Sequence, residues 1–169
     1  GEAYIYGHDE VIKIIGEIAN LLLLKRELDL IGDKLHLVTV EDGEELDIIG
    51  HRVRFFDVRS IKTKQFGFTM YYGDGKKLTC CGDEPVHDCE KEYVYGSEWL
   101  LHEAFCLYSQ ADIFKPYEKN HSTVADACKL AAELKIKNLI LYHTEDKNLQ
   151  NRKTLYYNEG REYFSGNLY

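Results

Sequence analysis

Apolar positions along this chain switch between a period of two and a period near 3.6, and each switch marks an element. Tyr4-Ile5-Tyr6 reads as a short strand stopped by Gly7. From Asp9, a candidate N-cap, Val11, Ile14, Ile15, Ile18, Leu21 and Leu22 recur at helical spacing. They predict a long amphipathic helix running towards Leu30 and packed on a sheet. Leu35 to Val40 is the next strand, the acidic turn Glu41-Asp42-Gly43 follows, and Arg52 to Val58 alternates as a further strand. Phe66 to Tyr72 and Lys77 to Cys81 flank Gly73-Asp74-Gly75, where Asp-Gly suits the positive φ of a tight hairpin. Trp99 to Phe105 predicts a buried strand interrupted by the polar pair His102-Glu103. Thr123 and Asp126 form a capping-box variant ahead of a helix whose apolar face is Val124, Ala127, Cys128, Ala131 and Leu134. Lys137 to Tyr142 is the strand after it, ending at His143. Strand, loop, helix, strand implies a right-handed βαβ crossover, hence an α/β fold with helices covering a sheet.

Composition narrows this to one soluble domain over residues 1–169, with 44% hydrophobic and 30% charged residues and no repeat or low-complexity linker. The longest apolar run, Leu21 to Leu24, is too short to span a bilayer, and Gly1 to Gly7 has no signal-peptide character, so the chain reads as cytoplasmic with no membrane partner. Cys80, Cys81, Cys89, Cys106 and Cys128 are an odd set without C-x-x-C spacing, which favours reduced, mostly buried thiols. A net charge of −8 opposes constitutive binding of a polyanion. Arg52, Arg54, Arg59, Lys62 and Lys64 form a basic cluster that reads first as a solvated face and only second as a cationic edge beside a site.

Four short motifs then place chemistry where strands and turns end: Cys81-Gly82-Asp83-Glu84-Pro85, Leu100-Leu101-His102-Glu103-Ala104-Phe105, His121-Ser122-Thr123, and Leu139-Ile140-Leu141-Tyr142-His143. Gly82 permits a sharp turn, and a carboxylate held there suits divalent ions. His143 ends an apolar strand, and His121 precedes a helix N-terminus, where an anionic group is favoured. Singly, each has an ordinary explanation as a turn aspartate or a loop histidine. His102-Glu103 is harder to dismiss, because two adjacent ionisable residues in a buried strand need partners.

In this order the motifs resemble the second half of a metallo-β-lactamase-superfamily hydrolase, closest to the ribonuclease Z-like branch. Gly82-Asp83 looks like the Gly-Asp-Thr motif, with Glu84 in place of threonine, and implies that Asp83 bridges two metal ions. His102-Glu103-Ala104 resembles the His-Glu-Ala motif, whose glutamate supports a neighbouring active-site histidine. His121-Ser122-Thr123 matches the His-Ser-Thr motif in full, and its histidine polarises the scissile phosphate or protonates the leaving group. His143 corresponds to the strand-end histidine that binds the second metal. The resemblance thus implies metal ligands Asp83 and His143, catalytic roles for His121, Glu103 and His102, and an αββα sandwich that is incomplete at its N-terminus.

Two departures qualify that expectation. The superfamily's His-x-His-x-Asp-His motif, which supplies most ligands of two zinc ions, occurs nowhere in the chain. The further histidine expected between Arg52 and Phe66 is also missing, its slot holding Arg59 or Ile61. The chain is therefore expected to be a fragment, inactive alone, of a zinc-dependent phosphodiesterase or ribonuclease Z-like enzyme. In the complete site two metal ions would activate a water for attack on a phosphodiester, small or RNA. Apolar surface on Val11 to Leu30, or an open edge at Phe66 to Tyr72, would promote a homo-oligomer or association with the missing N-terminal segment. The competing expectation is a non-catalytic binding or structural module of the same fold with a degenerate metal site.

Overall fold

A computed structural model describes residues 1–169. The chain opens with strand β1 (Ala3–Gly7) and helix α1 (Asp9–Leu22), then a short helix α2 (Lys25–Leu28) and β2 (Leu35–Thr39). Three antiparallel neighbours follow, β3 (Glu45–Ile48), β4 (His51–Asp57) and β5 (Phe66–Tyr72), and β6 (Lys76–Cys80) completes a hairpin with β5. After the short helix α3 (Lys91–Val94) come β7 (Trp99–Glu103), the short α4 (Ala111–Phe114), α5 (Val124–Glu133), β8 (Asn138–Tyr142), α6 (Arg152–Gly160) and β9 (Asn167–Leu168). The strands form a parallel β1-β2 pair and a mixed seven-stranded sheet in the order β3 to β9.

Strand parity decides which residues meet which layer. On β4, Phe56 joins the larger core, while its neighbours Val53 and Phe55 join a smaller cluster on the other face. The larger core gathers Leu100, Leu139, Ala127, Ala131, Tyr156 and Leu168, so α5 and α6 cover that face of the sheet. Across the other face lie Val40 and Tyr6 from the β1-β2 side, with Tyr6 stacked on Phe55 at 6.2 Å between ring centroids. The layers therefore run helix, sheet, sheet, helix, with a thin second sheet.

Local chemistry explains most boundaries. The Thr123 hydroxyl accepts from the Asp126 N–H, and the Asp126 carboxylate accepts from the Thr123 N–H at 3.0 Å, closing a reciprocal cap on α5. Thr123→Ala is expected to lower the stability of the fold by about 1 kcal/mol, read from the urea midpoint. Near the other end of the sheet, Gly160 sits where an added Cβ would lie 2.4 Å from Leu168 Cδ2 and 2.8 Å from Cys128 Sγ, so α6 docks there only with glycine.

The structure corrects several expectations. The predicted long helix ends at Leu22, and its N-cap is His8, whose Nδ1 accepts from the Val11 N–H at 3.4 Å. Leu23 and Leu24 are extended, so the periodic run breaks before α2. Helix α1 buries no residue, and Leu21 and Leu22 are about four-fifths exposed, so its apolar stripe is largely uncovered rather than packed. Phe66 to Tyr72 is not an edge, because β5 lies between β4 and β6. Strand β3 and helix α6 had no forecast. All five cysteines are free, and Cys81, Cys106 and Cys128 are buried as small apolar groups. No helix is long and apolar enough to cross a membrane.

Candidate active site

Parallel pairing of β6, β7 and β8 brings the C-terminal ends of these strands together, and the loops beyond them carry the motif residues. Gly82, at φ 69°, turns the chain just past β6 so that Asp83 faces the end of β8. His143, one residue beyond β8, also has a left-handed φ of 52°, a conformation that costs a non-glycine residue and marks a constrained position. Tyr142 ties the two turns together by donating its hydroxyl to the Gly82 carbonyl. The outcome is His143 Nε2 lying 3.9 Å from Asp83 Oδ2, both side chains about 40% exposed and open to a ligand.

His121 completes the cluster. Its ring lies 4.9 Å from that of His143 and stacks on Phe105 at 5.1 Å. Behind it, the buried Glu103 accepts from the Ser122 N–H at 2.5 Å, and its second oxygen faces His121 Nδ1 at 3.6 Å. Neither of those two atoms has another partner, so each is the other's nearest complement. Burial pushes the Glu103 carboxyl up to about 7, opposed by the Ser122 hydrogen bonds and reinforced by the nearby Glu84 and Asp83 charges. Burial also lowers His121, with the Lys62 and His143 charges acting in the same direction.

Adjacent residues on a strand point to opposite faces, and this separates His102 from Glu103. The His102 ring is buried, its Nδ1 lies 2.5 Å from the Glu103 carbonyl oxygen, and its Nε2 has no partner. His102 thus stands apart from the cluster, as a buried imidazole that burial lowers below its usual range. Asp83, His121, His143 and Glu103 converge; His102 does not.

Lys62 enters in a way the basic cluster of the sequence did not favour. Its ammonium lies 3.3 Å from His121 Nε2 and 3.8 Å from the fully buried Glu84 carboxylate. Glu84 is held by the Ser60 hydroxyl at 2.7 Å and by the Asn120 side-chain amide, which anchors the β4–β5 loop beneath the site. Arg59 turns away, its guanidinium on Asp42 at 2.8 Å and Asp57 at 3.4 Å, and Ile61 is three-quarters exposed. Neither residue in the slot of the missing histidine reaches the cluster as a ligand.

Asp83 and His143 carry the right donor atoms for zinc, but two donors fall short of the three or four protein ligands a tight site uses. No group of three or more His, Cys, Asp or Glu side chains is placed to hold a metal ion. Within these residues the set does not amount to a zinc site.

No family model matches this sequence, and no curated protein matches it. Solved structures do. The metallo-β-lactamase fold protein YhfI from Bacillus subtilis aligns over 99% of this chain and 61% of its own, at 17% identity and a TM-score of 0.73. The short form of human tRNase Z aligns over 86% of this chain and 62% of its own, at 21% identity and a TM-score of 0.65. Zinc-bound PqqB from Methylobacterium extorquens aligns over 83% of this chain and 50% of its own, at 16% identity and a TM-score of 0.63. The chain thus spans 50 to 62% of the length of these relatives in structure. With its layers, sheet order and strand-end cluster, this chain has the metallo-β-lactamase fold.

Proposed function

We propose that this chain carries part of the catalytic apparatus of a metal-dependent phosphodiester hydrolase, with Asp83 and His143 as its share of the metal ligands. The observation that supports the reading is the convergence of Asp83, His121 and His143 from three separate motifs, backed by the buried Glu103. Three reactive side chains at one strand-end cluster are the arrangement expected of a site rather than of solvated turns. Two fold relatives add weight, one named as a tRNase and one as zinc-bound.

The roles we assign draw on these contacts. Glu103 faces His121 Nδ1 at 3.6 Å, on the far side of the ring from Nε2, which lies beside Lys62. There the imidazole and the ammonium bracket an oxygen that gains negative charge as an ester bond breaks. Glu84 and Ser60 hold the Lys62 loop in place. The substrate is a phosphodiester, small or RNA, and with a net charge of −8 the smaller class is favoured. The uncovered stripe of α1 offers a surface for self-association or for further chain of the same protein.

The two-donor set favours a second reading, a non-catalytic module of the same fold. Elemental analysis separates part of this question. This polypeptide alone, dialysed against a weak chelator, is expected to retain less than one zinc per chain. Two zinc ions per chain would overturn the ligand assignment, since the chain would then hold donors not identified here. Hydrolysis by the whole protein decides between the two readings.

A further inference from the structure

Residues 52, 54 and 56 share one face of β4, and Phe56 seats that face in the larger core. Tyr93 stacks on Phe56 with ring centroids 4.7 Å apart, and the Arg54 guanidinium lies 4.9 Å from the Tyr93 ring. One row along, Arg52, Tyr71 and Lys77 are cross-strand partners on β4, β5 and β6, and the Arg52 guanidinium lies 4.1 Å over the Tyr71 ring. Stacking orients both guanidinium planes. Lys77 stands near the start of β6, so this row lies at the opposite end of that strand from Asp83.

The three cations are short of partners. Neither guanidinium makes a hydrogen bond within the chain, and Arg54 Nε is shut off from water with no acceptor. Glu45 faces both arginines, its carboxylate oxygens 3.9 Å from Arg52 Nη1 and 3.9 Å from Arg54 Nε, too far for a hydrogen bond to either. Lys77 donates to the Tyr93 carbonyl at 2.7 Å, and burial lowers its ammonium below the usual lysine range. A buried donor without an acceptor costs free energy, which an ion or a water at the site relieves. Two guanidinium forks offer more donors than one carboxylate accepts, whereas the oxygens of a phosphate can take both. Acidic residues bound the patch, Asp47 in register with Arg52 and Glu92 beside Tyr93. A compact anion fits inside that rim, and an extended polyanion meets repulsion.

We propose that Arg52, Arg54 and Lys77 form a binding site for a compact phosphate dianion, either free phosphate or the terminal phosphate of a small monoester. The site is separate from the strand-end cluster and stands or falls independently of the reading given to that cluster. Its preference for a dianion sets its ligand apart from a phosphodiester, which carries a single charge on each phosphate. Glu45 competes with the ligand for the two arginines.

The test uses the 169-residue chain in chelator and low salt at pH 8, where phosphate is mainly a dianion. Inorganic phosphate, glycerol 3-phosphate and dimethyl phosphate are the probes, read by calorimetry and amide NMR shifts. Phosphate is expected to bind with a Kd below about 1 mM and to shift amides in β4, β5 and the start of β6. Dimethyl phosphate, with one charge, should bind about tenfold more weakly or not at all. Glycerol 3-phosphate binding as tightly as phosphate assigns the site to a monoester, and much weaker binding assigns it to the free ion. Arg54→Gln is expected to weaken phosphate about tenfold, Arg54→Lys to weaken it less, and Glu45→Gln to tighten it about threefold. Arg52→Gln, at a largely exposed side chain, gives the same reading should Arg54→Gln fail to fold. No saturable binding, equal affinity for dimethyl phosphate, unchanged affinity in folded Arg52→Gln and Arg54→Gln, or shifts confined to the surroundings of His121 and His143 would overturn the proposal.

Discussion

In the whole protein, Asp83→Ala is expected to abolish hydrolysis of bis(p-nitrophenyl) phosphate together with metal retention, whereas His121→Ala keeps the metal and lowers kcat about 10²- to 10⁴-fold. The contrast follows from position. Asp83 and His143 face each other across 3.9 Å with partly exposed side chains, and the proposed reading has them share a cation in the whole protein. His121 sits between Glu103 and Lys62, a setting for stabilising charge that develops during reaction rather than for holding a ligand in the ground state. Loss of such a group appears in kcat and in kcat/KM alike. Steady-state kinetics with metal analysis of each variant is the measurement. Full turnover in both variants, beside a responsive wild type, rules out both assignments.

A second large effect is expected at Glu90, a buried carboxyl outside the proposed catalytic set. Its side chain is buried, and burial raises its carboxyl from 4.5 to about 7, with a hydrogen bond from the His87 backbone and the Arg59 charge opposing the rise and the charges of Asp57 and Glu84 adding to it. A raised carboxyl means that between these values the folded state keeps a proton that the unfolded state has released. Stability is therefore full at or below pH 4.5, falls as pH rises towards 7, and levels off above it. The loss from this one group is on the order of 3 kcal/mol. Glu90→Gln cannot ionise, so its urea midpoint should drop less than that of wild type between pH 5 and 8. The variant should be the more stable of the two at pH 8. Parallel midpoints across that range would show that Glu90 finds a partner in solution.

Where the sequence was legible, the signal was local. The Thr123–Asp126 cap and the apolar strands β7 and β8 each depend on residues a few positions apart and form near their predicted places, and the β5–β6 hairpin also forms, though it turns on positive φ at Gly73 and Gly75 in a three-residue loop rather than at Asp74-Gly75. The helix forecast overran because Leu23 and Leu24 continue an apolar run without continuing the helix. Helix α6 escaped notice because Arg152 to Gly160 is mostly polar and carries no strong apolar stripe, its docking resting on Tyr156 and Gly160. That His102 lies across β7 from Glu103 was also legible, since strand parity alone places the two on opposite faces.

The sequence by itself determined the local setting and order of the candidate groups: Asp83 after a glycine, Glu103 in a buried strand, His121 before a capped helix and His143 at a strand end. Each is fixed by backbone preferences of its immediate neighbours. Tertiary structure alone decided which of them meet. Lys62 and His121 are 59 residues apart in sequence, and their contact depends on how the β4–β5 loop is anchored through Glu84 to Asn120. Periodicity reports the environment of one side chain at a time, whereas a site is a set of distances between side chains, and packing of the whole sheet sets those distances.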